Sequence, residues 1–267
     1  MLRRLAVIAI TTGAVTAALL PSSGPASAAP AAPAAFTKIQ GAAANAAGLQ
    51  GTVDAYRLLL GNPNNGSALG TQPAGRREIN WDGTPDAQSS PNALPRDFFN
   101  TTVPRGAVFS GASAFQVSAD SSNPSSAPVR FGNINSTYPS VFGTFSPERL
   151  FTPINSNKTT IKFFVPGSTT PAAVKGFGAV FTDVDKAGTT RVEVYDRWGG
   201  LLWGDWVPAG TTSSKSLSFL GVTTDADIAE VRITTGNAAL GAWTNDTSST
   251  DLVVMDDFLY GEPKALS

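Results

Sequence analysis

Short runs of alternating apolar and polar residues dominate the chain from about residue 76 onward. In Lys175-Gly176-Phe177-Gly178-Ala179-Val180-Phe181, the residues Phe177, Ala179 and Phe181 fall on one side of an extended backbone. Val192 and Val194 alternate with Arg191 and Glu193, and Val231 and Ile233 alternate with Glu230 and Arg232. Such runs predict strands at 77–81, 107–110, 115–119, 142–145, 149–151, 160–165, 174–182, 190–196, 201–206, 216–219, 228–234 and 252–260. One segment has a different period. Leu49, Val53, Tyr56 and Leu60 recur at helical spacing, and Gly61-Asn62-Pro63 stops the run. A helix is expected over 47–60, with the Ala-rich stretch before it able to extend it backward. Many short strands and one early helix predict an all-β, two-sheet antiparallel sandwich.

The first residues follow another logic. Met1-Leu2-Arg3-Arg4 precedes an apolar run from Leu5 to Leu20, and Ala26-Ser27-Ala28 supplies small residues for cleavage. This predicts a secretory signal over 1–28 and a secreted, extracellular protein. A Pro/Ala linker (29–36), a helix-and-loop segment (37–75) and a β-sandwich (76–262) are expected to follow. No second apolar run reaches spanning length, so membrane insertion is not expected.

Composition narrows the chemistry. The chain holds no histidine and no cysteine. Ser-His-Asp and Cys-His catalysis and nearly all zinc sites are thereby excluded. The net charge is −1 and the largest basic cluster is Arg76-Arg77, which argues against a nucleic-acid partner. Without disulfides, stability must come from the core, from a metal, or from both.

The last predicted strand carries adjacent acids, Asp256 and Asp257, inside an apolar run. Side chains alternate across a strand, so one carboxylate must point inward and needs a positive or hydrogen-bonding partner. Calcium is the expected partner in a secreted β protein. Asp183 and Asp185 form a second candidate pair, two residues apart and therefore on one face if extended.

Tryptophans supply the candidate binding chemistry. Flat aromatic rings stack on sugars while amides and carboxylates fix hydroxyls. Trp198 falls in a turn, Trp203 and Trp206 face opposite sides of one strand, and Trp243 lies in a polar loop beside Asn245. Trp81 reads as core. Trp198, Trp203, Trp243 and Asn245 are the candidate ligand-binding residues. For an enzyme, the available machinery is a carboxylate pair, best represented by Glu78 with Asp82 or Asp86. No catalytic residue is assigned.

The order of features over 172–262 resembles the jelly-roll β-sandwiches of secreted bacterial proteins, carbohydrate-binding modules among them. A Phe-Gly-rich strand leads to Thr182-Asp183-Val184-Asp185, and the chain closes on Val254-Met255-Asp256-Asp257-Phe258. The resemblance implies a jelly-roll topology and a structural calcium on Asp256 or Asp257. Three function classes follow: a non-catalytic polysaccharide- or glycan-binding protein, a structural or adhesin-like protein, and a carboxylate-based glycoside hydrolase.

Overall fold

A computed structural model describes residues 34–212 and 214–266. The expected secretory signal and residues 29–33 of the expected linker lie outside the described residues. The described strands are β1 (Phe36–Ala43), β2 (Arg76–Ile79), β3 (Ala107–Ser110), β4 (Ala114–Val117), β5 (Phe151–Ile154), β6 (Lys158–Phe164), β7 (Pro171–Thr182), β8 (Arg191–Tyr195), β9 (Leu201–Trp206), β10 (Leu217–Ile228), β11 (Glu230–Thr234), β12 (Val254–Gly261) and β13 (Lys264–Ala265). The helices are α1 (Ala46–Leu60), α2 (Phe98–Thr101) and α3 (Tyr138–Val141). All pairings between these strands are antiparallel. The protein is an all-β sandwich, as the alternation predicts. Among the described residues, no helix is long and apolar enough to cross a membrane.

The two ladders share β7. Its first residues pair with β6 and β13, and its remainder lies between β10 and β12. The main core fills the space between the layers. Phe177, Phe181 and Phe258 come from one ladder, while Phe109, Phe163, Val194 and Ile233 come from the other. Trp81 is 1% exposed and stacks on Phe151 at 4.2 Å, confirming it as core. On β8 and β11, Val194 faces Val231 and Val192 faces Ile233, so Glu193 and Arg232 share the outer face.

Helix α1 begins where Asn45 accepts the Gly48 amide at 3.1 Å and ends at Gly61, with φ 91. Leu49, Val53 and Tyr56 are buried, as their spacing predicts. The Ala-rich stretch does not extend the helix. It forms β1, which pairs with β10 from Phe36–Thr224 to Ala43–Leu217. Sheet pairing outweighs alanine's helical preference here, and Asn45 starts the helix only after the strand has ended. Two further departures are local. Residues 142–145 are irregular after α3, and Ile228 closes β10 rather than opening β11.

Tyr56 sits over two facing glycines, Gly178 of β7 and Gly221 of β10. A Cβ at Gly178 would lie 2.7 Å from the Tyr56 ring and 2.8 Å from Phe219. Gly178→Ala is expected to cost about 1–3 kcal/mol by overpacking. Thermal melting checks this, and an unchanged transition would show that the ring has room to shift.

Candidate cation site and binding surface

Three loops meet at one end of the sandwich: 183–190, 207–216 and 235–253. The Asp183 amide donates to the Ser216 carbonyl at 2.9 Å, and the Gly210 amide to Val184 at 2.7 Å. The Asp185 amide donates to Asp251 Oδ1 at 2.9 Å. These bonds fix the three loops against one another.

Asp183 turns the chain at the end of β7 with φ 70, a left-handed conformation that aspartate tolerates better than most side chains. The turn places its carboxyl inside the protein, where the residue is 0% exposed. Oδ1 accepts the Lys215 amide at 3.2 Å, while Oδ2 has no hydrogen-bond partner. Asp185 Oδ1 is likewise buried and unpartnered. Asp246 Oδ1 accepts the Leu252 amide at 3.0 Å. One carboxylate oxygen from each of Asp183, Asp185 and Asp246 lies within 4.8 Å of the others.

The electrostatics of this group are unfavourable on their own. Burial, then Asp185 and Asp246, push the Asp183 carboxyl up to about 8. Burial, then Asp246 and Asp251, push Asp185 up to about 6. Burial raises Asp246 as well. Asp251 is buried beside them, but its oxygens are engaged by the Asp185 amide and the Thr189 hydroxyl. Lys186 turns its ammonium to the carbonyls of Thr247 and Ser248. Asp185 and Asp246 border an open cavity of about 530 Å³ flanked by Gly210, Thr211, Thr212 and Thr247.

This donor set fits calcium. Oxygens on opposite sides of an ion with bonds near ~2.4 Å lie about 4.8 Å apart, and calcium accepts carboxylates, carbonyls and water together. The unpartnered Asp183 Oδ2 is the atom that most needs a cation.

Asp256 and Asp257 lie elsewhere. Between Met255 and Phe258, β12 gains a residue against β7, a β-bulge that breaks the expected alternation. Both carboxylates are buried, because β12 is covered along its whole length, and both reach Ser146. Asp256 Oδ2 accepts the Phe145 amide at 2.6 Å. Ser146 Oγ lies 2.6 Å from Asp257 Oδ1 and 3.2 Å from Asp256 Oδ1. The serine has one proton to give, and the shorter contact takes it. Burial and the neighbouring Asp257 raise the Asp256 carboxyl well above the usual carboxylate range. Arg57 lies 3.7 Å from Asp257. The pair is thus met by an amide, a hydroxyl and a guanidinium. Among the described residues, the three-carboxylate group is Asp183, Asp185 and Asp246, and Asp256 and Asp257 fall outside it.

Of the candidate aromatic residues, Trp243 is 97% exposed and Trp198 is 79% exposed. Trp203 is half-buried and packs on the core, so it offers no open ring face comparable to theirs. Trp206, on the other side of β9, lies under Arg191. Trp198 and Trp243 do not form one platform. Trp198 occupies the β8–β9 hairpin beyond Tyr195, whereas Trp243 follows the far end of β11, in the loop that carries Asp246. That loop is clamped. Tyr138 Oη donates to the Thr244 carbonyl at 2.8 Å, and Asn135 Nδ2 donates to Asn245 Oδ1 at 3.0 Å.

Each carboxylate expected for hydrolysis is engaged by another group. Glu78 accepts from Arg76 at 2.6 Å and from Arg57 at 2.9 Å. Asp86 pairs with Arg149 at 2.7 Å, and Asp82 accepts the Arg149 amide at 3.0 Å. Asp246 is the site residue that sequence reasoning missed. It lies far along the chain from Asp183 and Asp185, and only loop closure brings it to them.

Comparison with known proteins found no family model that matches the chain, and no curated protein or solved structure with significant similarity to it.

Proposed function

We propose that this is an exported, non-catalytic binding protein that presents a calcium-ordered loop to polysaccharide. The observation that carries this reading is the placement of Trp243. Its ring is almost wholly in solvent, three residues before a carboxylate of the convergent group. An exposed tryptophan loses little by stacking on a sugar face and gains the burial of a large apolar surface. Calcium on Asp183, Asp185 and Asp246 would hold the loop's far side while Tyr138 and Asn135 hold its near side. Asn245, two residues along the same loop, keeps its Nδ2 donors for sugar hydroxyls while its Oδ1 accepts from Asn135. Export follows from the charged, apolar and small-residue sequence of positions 1–28.

Trp243→Ala is expected to abolish binding on a glycan array, and to remove any tryptophan-fluorescence response to polysaccharide, without lowering the melting temperature. Retained binding in this variant would remove Trp243 from the site. Absence of binding by the unmodified, calcium-loaded protein would favour a structural or adhesin-like role.

A further inference from the structure

A second polar pocket, of about 430 Å³, opens beside α1 and β2 and shares no lining residue with the cation site. Arg57, Glu78, Asn80, Arg105, Ser146 and Asp257 are among the side chains around it. Its ion pairs leave one guanidinium out. Glu78 is held by both Arg57 and Arg76, and Arg57 also binds Asp54 at 2.9 Å. The neighbouring Arg77 is matched by Glu262 at 2.7 Å. Asp257 is the remaining acid, and it already accepts from Ser146 and faces Arg57.

Arg105 is left over. Its guanidinium forms no ion pair with any described residue, and its buried Nε has no hydrogen-bond partner. Burial pulls its proton affinity down and Arg77 adds to this, while Tyr260 and Glu78 oppose it. A half-buried guanidinium without an anion is costly, and the cost disappears when a carboxylate is brought to it.

We propose that this pocket binds the carboxylate of an acidic sugar, a uronate residue, at Arg105. A guanidinium without an ion-pair partner offers donors for one carboxylate. Glu78 and Asp257 on the same wall repel a dianion such as phosphate. The other groups, Asn80 with Glu78 and Asp257, are hydrogen-bonding partners for hydroxyls, and the pocket has no tryptophan or tyrosine in its lining. A guanidinium matches a planar carboxylate with two parallel N–H donors, which a neutral sugar cannot use. The inference stands apart from the Trp243 reading, since the two sites are separate.

The test is calorimetric titration of the calcium-loaded full chain with trigalacturonate, with neutral cellotriose and with inorganic phosphate. Trigalacturonate is expected to bind at least tenfold more tightly than cellotriose, with affinity falling as salt rises, and phosphate is expected not to compete. In Arg105→Gln the preference for the acidic sugar should vanish. This variant should melt no lower than the unmodified protein, because it removes an unpaired charge and leaves the Arg105 carbonyl that accepts Tyr260 Oη at 3.0 Å. Trp243→Ala should leave the preference intact, so failure of one site is separable from failure of the other. Equal affinity for acidic and neutral sugar, no binding of trigalacturonate, displacement by phosphate, or a preference that survives Arg105→Gln would each overturn the proposal. The comparison of acidic with neutral sugar on the unmodified protein decides the matter even if the variant does not fold.

Discussion

Stripping calcium at pH 8 is expected to lower the melting temperature by about 5–11 °C, and Asp183→Asn is expected to erase that difference. A ligand at about 100 times its Kd stabilises by about 2.7 kcal/mol, and a domain of this size shifts by about 2–4 °C per kcal/mol. The pH dependence gives the prediction its sign. In the unfolded chain Asp183 titrates near ~3.9, whereas in the folded, cation-free protein it is pushed up to about 8. Between those values the folded state keeps a proton that the unfolded state has released. Stability of the cation-free protein therefore falls as pH rises, by up to about 1.4 kcal/mol per pH unit, and levels off above pH 8. Asp185, pushed up to about 6, adds a decline that ends earlier. Calcium needs both groups deprotonated, so its stabilising effect grows across the same window. Melting curves at pH 5, 6, 7 and 8, with calcium and with chelator, should diverge as pH rises. Superimposed curves at pH 8 would sink the cation site. Asparagine mimics the protonated acid and keeps an acceptor for the Lys215 amide, so Asp183→Asn should show a weaker pH slope and no calcium response.

Glu262→Ala is expected to destabilise the protein by about 3–5 kcal/mol, the cost of leaving a buried charge without its partner. Arg77 is 0% exposed and Glu262 is 5% exposed. The guanidinium meets the carboxylate through two bonds, at 2.7 and 2.8 Å. Its other donors go to the carbonyls of Gly66, Ala68, Gly70 and Pro104. Glu262 also accepts the Gln72 amide at 2.9 Å and Asn65 Nδ2 at 2.8 Å. The pair therefore fastens the 62–75 loop to β2 and to the end of β12. Loss of the carboxylate should free that loop before the sandwich melts. Limited proteolysis should cut first within 62–75, and chemical denaturation should report the lost stability. Arg77→Met is the informative companion, because it removes the cation while filling part of its volume. It leaves the Glu262 carboxylate without its cation and four carbonyls without their donor, so it should cost at least as much as Glu262→Ala, and a clearly smaller cost would contradict the account.

Much of the fold was legible in the sequence because strand alternation and helix spacing are local. Phe177, Ala179 and Phe181 take the inner face of β7, and Leu49, Val53 and Tyr56 take the inner face of α1. Each position was set by its neighbours two, three or four residues away. The same local rule misled where partners decide. The 36–43 segment has no strong strand signal, yet it pairs along its whole length with β10. Asp256 and Asp257 were expected to divide between two faces, whereas both faces of β12 are covered and a bulge against β7 breaks the alternation.

The candidate site divides along the same line. Asp183, Asp185, Trp198, Trp243 and Asn245 were visible as residue types in turn-like contexts. Which carboxylates converge was not, because Asp246 reaches Asp183 only after β8 to β11 have been laid down between them. The sequence by itself determined an all-β sandwich with one amphipathic helix and a chemistry without histidine or cysteine, since composition and short-range periodicity carry that information. Tertiary structure alone decided which acids share a field, which arginine lacks an anion and which tryptophans stand in solvent. Those properties depend on distances between residues far apart in the chain, and chain closure sets such distances.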